Sequence, residues 1–463
     1  MRLHLETFLA HAEERGGVPR FVEREMRRFL ACGVAAHGFV RVHGSLCGHD
    51  RLVPFSCKGR GFCPSCGGRR MAEASALLVD RVLPVVPARQ WVLSLPFALR
   101  FALARDHDLL TAVIGVAMRA MLGLQRARAR RLLDLTGRCG AVTVVQRFGG
   151  ALNLNVHLHA IVLDGVHVMG ADGRLRFHAL PRLTATERLA LTATIARRVR
   201  LLLGRRGLLA GEEWAGSEEE ATVLDACRAA SVRNVVAFGP QAGRPLRKIV
   251  LPAVTAPGPT THESRGVAGF DLDVGPVIRA HERSRLERLC RYALRPAIAT
   301  ERLEELPDGR LKYSLRHPWR DGTSAVVMEP MDFLARLAAL VPAPRRHVLR
   351  YHGTLAPNAK WRRLIVPAAP ARAERECGGD EPQESARAAS SRASRMSWAE
   401  LMLRVFKSDV LECPRCAGRL RIVATVTTPS AVKAILECLG LPGRPPPVAK
   451  AKEREQRTFG FEG

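Results

Sequence analysis

Two periods of apolar positions alternate along this chain, and the switches between them mark its elements. Residues 1–30 are charged and read as helical, and helical spacing resumes over Met71–Val82. Arg89–Leu95 (RQWVLSL) shortens to the two-residue period of a strand and stops at Pro96. A long helical stretch then runs from Asp106 to Leu135, with Arg126, Arg128, Arg130 and Arg131 in its second half. Two strand-like runs follow, Ala141–Phe148 (AVTVVQRF) and Asn155–Leu163 (NVHLHAIVL). The segment between them opens with Gly149-Gly150, which suits a hairpin connection. Residues 182–207 and Leu286–Ala293 predict further helices. The second must end near Arg295, because the residue before Pro296 is pushed out of the helical region. The stretch 208–265 reads as irregular and polar. Helices mixed with an antiparallel hairpin predict an α+β fold.

The 463 residues suffice for several domains, and 47% apolar composition permits a sizeable core. A wholly disordered or collagen-like chain is thereby excluded. The most apolar stretch, Val82–Ala104, is broken by Pro84, Pro87, Arg89, Pro96 and Arg100, so no membrane span is expected. No apolar signal core follows Met1, and the expected location is the cytoplasm. The expected organisation is a helical, cysteine-bearing N-terminal domain over 1–80, a central domain over 81–330 and a basic segment over 331–370. A low-complexity linker over 371–395, a small cysteine-containing module over 396–441 and a disordered tail over 442–463 complete it.

Charge narrows the function class. Lys and Arg number 72 against 44 Asp and Glu, a net charge of +28, and an anionic partner is expected, nucleic acid first. Eight of the 72 are lysines, which leaves 64 arginines, whose planar forks grip two phosphate oxygens at once. Arg345, Arg346, Arg350, Lys360, Arg362 and Arg363 are dense, with Tyr351 and Trp361 interleaved. Phosphate contact plus base stacking is how single strands are held. The plainer alternative is a solvated charged face.

Three further groups carry chemistry. If Asn155–Leu163 is a strand, His157 and His159 share one face and Val156, Leu158 and Ala160 the other. Two imidazoles about 7 Å apart along a strand can hold one divalent ion. The alternative is two histidines facing water. Pairing Phe148 with Asn155 would set Gln146 opposite His157 as a third ligand. Tyr292 lies on a helix with Arg288 and Arg295 at spacings i−4 and i+3. Two guanidinium groups there would neutralise a phosphate attacked by the phenol. Cys57, Cys63 and Cys66, with Cys47 close in sequence, have the spacing of a structural zinc site. Cys413 and Cys416 form half of another, with Cys438 as a third candidate. Cys32, Cys139, Cys227, Cys290 and Cys377 read as structural or incidental.

In combination these segments resemble the insertion-sequence-91 family of rolling-circle transposases. The residues that carry the likeness are Val145–His159 (VQRFGGALNLNVHLH), Ser56–Cys66 (SCKGRGFCPSC), Arg89–Pro96, Leu289–Leu303 and Arg350–Lys360. The resemblance implies an HUH endonuclease: an antiparallel sheet with flanking helices, an N-terminal zinc module and a small C-terminal cysteine module. It implies Mg²⁺ or Mn²⁺ on His157 and His159, Tyr292 as nucleophile, and Arg295 on the phosphate. The implied partner is single-stranded DNA at transposon ends, held in a covalent 5′-phosphotyrosine link. No second tyrosine lies on the Tyr292 helix, so a one-tyrosine type is expected. The chain departs from the family pattern at Gly44, where relatives commonly show cysteine, and His43 is the candidate replacement ligand, with His49 a weaker one. The alternatives are a plasmid replication initiator or relaxase of the HUH class, and a zinc-containing DNA-binding remnant without catalysis.

Overall fold

The computed structural model describes residues 1–208, 222–250, 266–367 and 396–452. The expected linker over 371–395 lies outside them. The chain opens with α1 (Leu5–Glu13), α2 (Arg20–Ala31), the hairpin β1 (Phe39–Gly44) and β2 (Asp50–Pro54), and α3 (Pro64–Arg81). The central part runs β3 (Ala88–Ser94), α4 (Phe97–Arg105), α5 (His107–Leu133), β4 (Gly140–Phe148), β5 (Leu154–Leu163), β6 (Gly165–Met169) and β7 (Leu175–Ala179). It continues through α6 (Ala185–Arg205), α7 (Val223–Arg233), β8 (Arg247–Val250), β9 (Asp271–Val274) and α8 (Arg283–Leu294). Then come β10 (Leu303–Glu305), β11 (Leu311–Ser314), β12 (Thr323–Met328), α9 (Pro330–Leu340) and β13 (Leu349–Gly353). Near the end lie a helix over Trp398–Phe406, β14 (Leu420–Val426) and a helix over Pro429–Cys438.

The platform is a five-stranded antiparallel sheet in the order β13-β4-β5-β3-β9. The hairpin β4–β5 sits at its middle, so most residues of both strands are buried. Thr143 Oγ1 on β4 reaches Met118 on α5, which places α5 over the apolar face of the hairpin. The start of α5 follows from sequence chemistry. The Asp106 carboxylate accepts from the Asp108 and Leu109 amides at 2.8 and 2.9 Å and caps the helix. This helix is long and apolar enough, by length and composition, to cross a membrane. Its Val113, Ile114, Ala117 and Met121 are buried in the main core, as expected of a core helix in a folded domain.

The other face is covered by α8. That helix packs on α3 and β4. It ends where Arg295 turns to extended backbone ahead of Pro296, as the proline predicts. The Arg283 guanidinium at its start donates to the carbonyls of Leu83 and Pro84 at 2.8 and 3.0 Å. From the far end of the chain, Arg404 reaches both supporting helices. It meets Glu287 on α8 at 2.7 Å and Asp80 on α3 at 2.5 Å.

The stretch 208–265 is not wholly irregular: α7 is a buried helix capped by Thr222, whose side chain accepts from the Asp225 amide. Its inward face includes Cys227, Ala230 and Ser231, small residues that give little hydrophobic contrast in sequence. Residues 209–221 and 251–265 lie outside the described residues. The C-terminal segment is tied to the N-terminal hairpin, since β14 pairs antiparallel with β1 in a sheet ordered β14-β1-β2. The described part of the expected tail lies along the N-terminus, with the Ala449 amide on the Arg2 carbonyl and the Lys452 amide on Thr7 Oγ1.

Candidate active site

Of the two histidines of β5, His157 is half-buried and His159 buried. His159 is 3% exposed and lies beneath the tyrosine helix. Its ring is 4.9 Å from that of His157 and 5.8 Å from that of Tyr292, centroid to centroid. Tyr292 itself remains 41% exposed. The Arg295 guanidinium stands over the Tyr292 ring at 4.8 Å and over Phe148 at 5.5 Å.

Gln146 is the cross-strand partner of His157. The expected register of Phe148 with Asn155 is off by one: Phe148 pairs with Leu154. An irregularity between Gln146 and Phe148 restores the phase and leaves Gln146 opposite His157. Its amide nitrogen donates to the Ala293 carbonyl at 3.2 Å, which ties β4 to the last turn of α8.

The protonation pattern follows from the hydrogen bonds. His157 Nδ1 lies 2.9 Å from the Asn155 carbonyl, which can only accept. Nδ1 therefore carries the proton and Nε2 keeps its lone pair. His159 Nδ1 meets the Gln90 amide at 2.7 Å. The Gln90 amide nitrogen is the atom that faces it, so Nδ1 accepts there; turning the amide over makes Nδ1 the donor and frees the Nε2 lone pair for a metal. His159 Nε2 and Gln146 Oε1 are buried with no hydrogen-bond partner among the described residues. Burial, then His157 and Arg295, pushes the His159 pKa down to about 3. Burial also lowers that of His157, with Arg295 and Arg100 adding to the effect. Both imidazoles are thus neutral near pH 7, which a metal ligand requires.

Gln90 and Arg100 were not singled out in the sequence. Gln90 lies in the RQWVLSL strand, but pairing with His159 needs the neighbouring strand in register. Arg100 donates from Nε to the Leu95 carbonyl at 3.4 Å. Its charge, with that of Arg295, makes the surroundings of His157 cationic, a setting for a phosphate. Arg288 lies exposed on α8 one turn before Tyr292.

The cysteines sort differently from the expectation. Cys32, Cys57, Cys63 and Cys66 form one group, with all four sulfurs within 4.8 Å of one another. Cys32 takes the place expected for Cys47. The separations are 3.3 Å for Cys57–Cys66, 3.6 Å for Cys63–Cys32 and 3.9 Å for Cys32–Cys66. A zinc ion with Zn–S bonds of about 2.3 Å needs sulfurs about 3.8 Å apart, whereas a disulfide needs about 2.05 Å. The tetrad fits zinc. Cys47 instead joins Cys413 and Cys416. Cys438 is exposed at the end of its helix and belongs to neither group. His43 is engaged elsewhere, with Nδ1 2.9 Å from Asp50.

The basic segment is partly committed internally. Arg350 donates to His107 Nε2 at 3.1 Å and Thr111 Oγ1 at 3.0 Å. Arg362 donates to the Leu355 carbonyl and covers the Tyr351 ring at 5.5 Å. Arg138 covers Trp361 at 5.0 Å. One face of each aromatic ring is therefore taken by arginine and not offered to a base. Arg346 makes only a 4.0 Å pair with Asp108. Arg345, Lys360 and Arg363 are exposed, with no ion pair among the described residues.

Residues 140–362 match a family model described as "Putative transposase". Residues 2–95 match one described as "Transposase zinc-binding domain", and that span includes the whole cysteine tetrad, which supports structural zinc there. No curated protein and no solved structure matches the chain.

Proposed function

Because the chain belongs to the insertion-sequence-91 family of transposases, we propose that it cleaves and rejoins single-stranded DNA at transposon ends through Tyr292. The observation that carries this reading is the edge-on packing of the Tyr292 ring against His159, beside the buried His159 Nε2 and Gln146 Oε1, which lack partners among the described residues. His157, His159 and Gln146 would hold Mg²⁺ or Mn²⁺, which supplies Lewis-acid polarisation of the scissile phosphate.

The remaining chemistry belongs to the chain itself. The Tyr292 hydroxyl attacks phosphorus and loses its proton as the new P–O bond forms. The bond to the departing 3′ oxygen breaks, and that oxygen takes up a proton. The product is a 5′-phosphotyrosine and a free 3′ hydroxyl. One phosphodiester replaces another, so the step reverses when a 3′ hydroxyl from a second strand attacks the link. Arg295 would bind a non-bridging phosphate oxygen, and Gln90 would orient His159. Exposed Arg345, Lys360 and Arg363 would track the DNA backbone, which makes binding strongly salt-dependent. Rolling-circle transposition is the process such a reaction serves. The expected location is the cytoplasm, on the nucleoid when bound to DNA.

The test uses single-stranded oligonucleotides tiled across the DNA flanking the element, incubated with the purified protein and Mg²⁺ or Mn²⁺. A denaturation-resistant adduct is expected, lost in both Tyr292→Phe and His157→Ala. An adduct that survives Tyr292→Phe refutes the assignment of the nucleophile. Tight, salt-sensitive DNA binding with no adduct on any oligonucleotide favours a binding protein without catalysis.

A further inference from the structure

The trio Cys47, Cys413 and Cys416 is independent of the active site and of the tetrad. Cys47 and Cys413 lie 366 residues apart in the chain, yet their Sγ atoms are 3.5 Å from each other. All three sulfurs fall within 4.8 Å. That spacing is near the edge of a zinc–thiolate tetrahedron and well beyond a disulfide.

The local backbone repeats itself. Cys47 closes the turn Gly44–Cys47 between β1 and β2, and Cys416 closes the turn Cys413–Cys416 ahead of β14. Each second cysteine is followed by a residue in the left-handed region, Gly48 at φ 66° and Ala417 at φ 56°. The two turns are therefore matching knuckles at one end of the sheet β14-β1-β2. One has cysteine at its first position, Cys413; the other has Gly44. A Cβ built on Gly44 would lie 3.9 Å from Cys413 Sγ, so the position points into the trio. Gly44 is also the register partner of Leu420 on β14.

We infer that Cys47, Cys413 and Cys416 hold a second zinc ion whose fourth coordination position Gly44 leaves open. The ion clasps the two ends of the chain, since β1 and β14 meet at the same knuckles. With three protein ligands the fourth position falls to water or to an added ligand, and the metal exchanges faster than in a closed four-thiolate site. His43 does not close it, because neither of its ring nitrogens groups with the three sulfurs.

The test measures zinc in the full chain. Metal analysis after desalting should give two zinc ions per chain, one of them lost in Cys47→Ser and in Cys416→Ser, and both kept in Cys438→Ser. Cys47 and Cys416 are exposed, so these substitutions leave the core untouched. Release to a chromogenic chelator should be biphasic, with the fast phase missing in Cys47→Ser. Gly44→Cys should complete the site and slow that phase by roughly tenfold or more, the scale on which zinc affinity answers to its ligand shell. The new Cβ would come within 3.1 Å of Leu420 Cδ2, a flexible side-chain end that must give by a few tenths of an ångström. One zinc per chain, unaffected by Cys47→Ser, overturns the second site. Two zinc ions with release unchanged by Gly44→Cys overturns the open position.

Discussion

Arg404→Ala tests how the tyrosine helix is held. Arg404 makes three contacts to Glu287 through Nε and Nη2, at 3.2, 3.1 and 2.7 Å, and two to Asp80, at 2.5 and 2.9 Å. The Glu287 side chain is only 12% exposed, while Asp80 is 40% exposed. Truncating Arg404 leaves a buried carboxylate without its counter-charge, which costs about 3–5 kcal/mol in a sealed site. Arg404 is itself 26% exposed, so water reaches part of the gap and the expected loss is about 2–3 kcal/mol. The Asp80 arm contributes under about 1 kcal/mol of it. Glu287→Gln alone removes the charge and should cost less. The double variant should lose clearly less than the two singles summed, with a coupling of about 2 kcal/mol. Urea unfolding of the four proteins gives the cycle. Glu287 precedes Tyr292 by little more than one helical turn, so Arg404→Ala should also lower the yield of the DNA adduct. A loss below about 0.5 kcal/mol with coupling near zero would refute the clamp.

Gln90→Leu should weaken Mn²⁺ binding by about 10–100-fold, the usual effect of losing a partner of a ligating histidine, with melting little changed; calorimetric titration with Mn²⁺ checks it. Cys32→Ser should remove the zinc of the tetrad, while Cys47→Ser should leave that ion in place; metal analysis of the two variants separates these outcomes. Burial pushes the His167 pKa down to about 4, so the unfolded chain binds its proton at higher pH than the folded one does. Its contribution is therefore complete above about pH 6.5 and is lost as pH falls toward 4. Discounted for partial solvent contact, about 1 kcal/mol should go between pH 8 and pH 5. His167→Gln should flatten the urea midpoints across that range by the same amount.

Much of this protein was legible in local spacing. The strands β3, β4 and β5, the end of α8 before Pro296, and the shared face of His157 and His159 follow from periods of two and 3.6 and from proline sterics. Those preferences act within a few residues and need no distant partner. The pairing of Gln146 with His157 was legible too, although the irregularity that secures it was not. What tertiary structure decided was partnership across the chain. Cys47 is nearer in sequence to Cys57 than Cys32 is, yet Cys32 joins the tetrad and Cys47 meets Cys413. Loop closure explains why nearness in sequence misleads, because its entropy grows only logarithmically with loop length. A distant ligand costs little more than a near one, and sheet pairing settles the choice: β14 on β1 carries Cys413 to Cys47. Gln90 on His159 and Arg404 on Glu287 have the same origin, since each contact exists only once strands or helices far apart in the chain have docked.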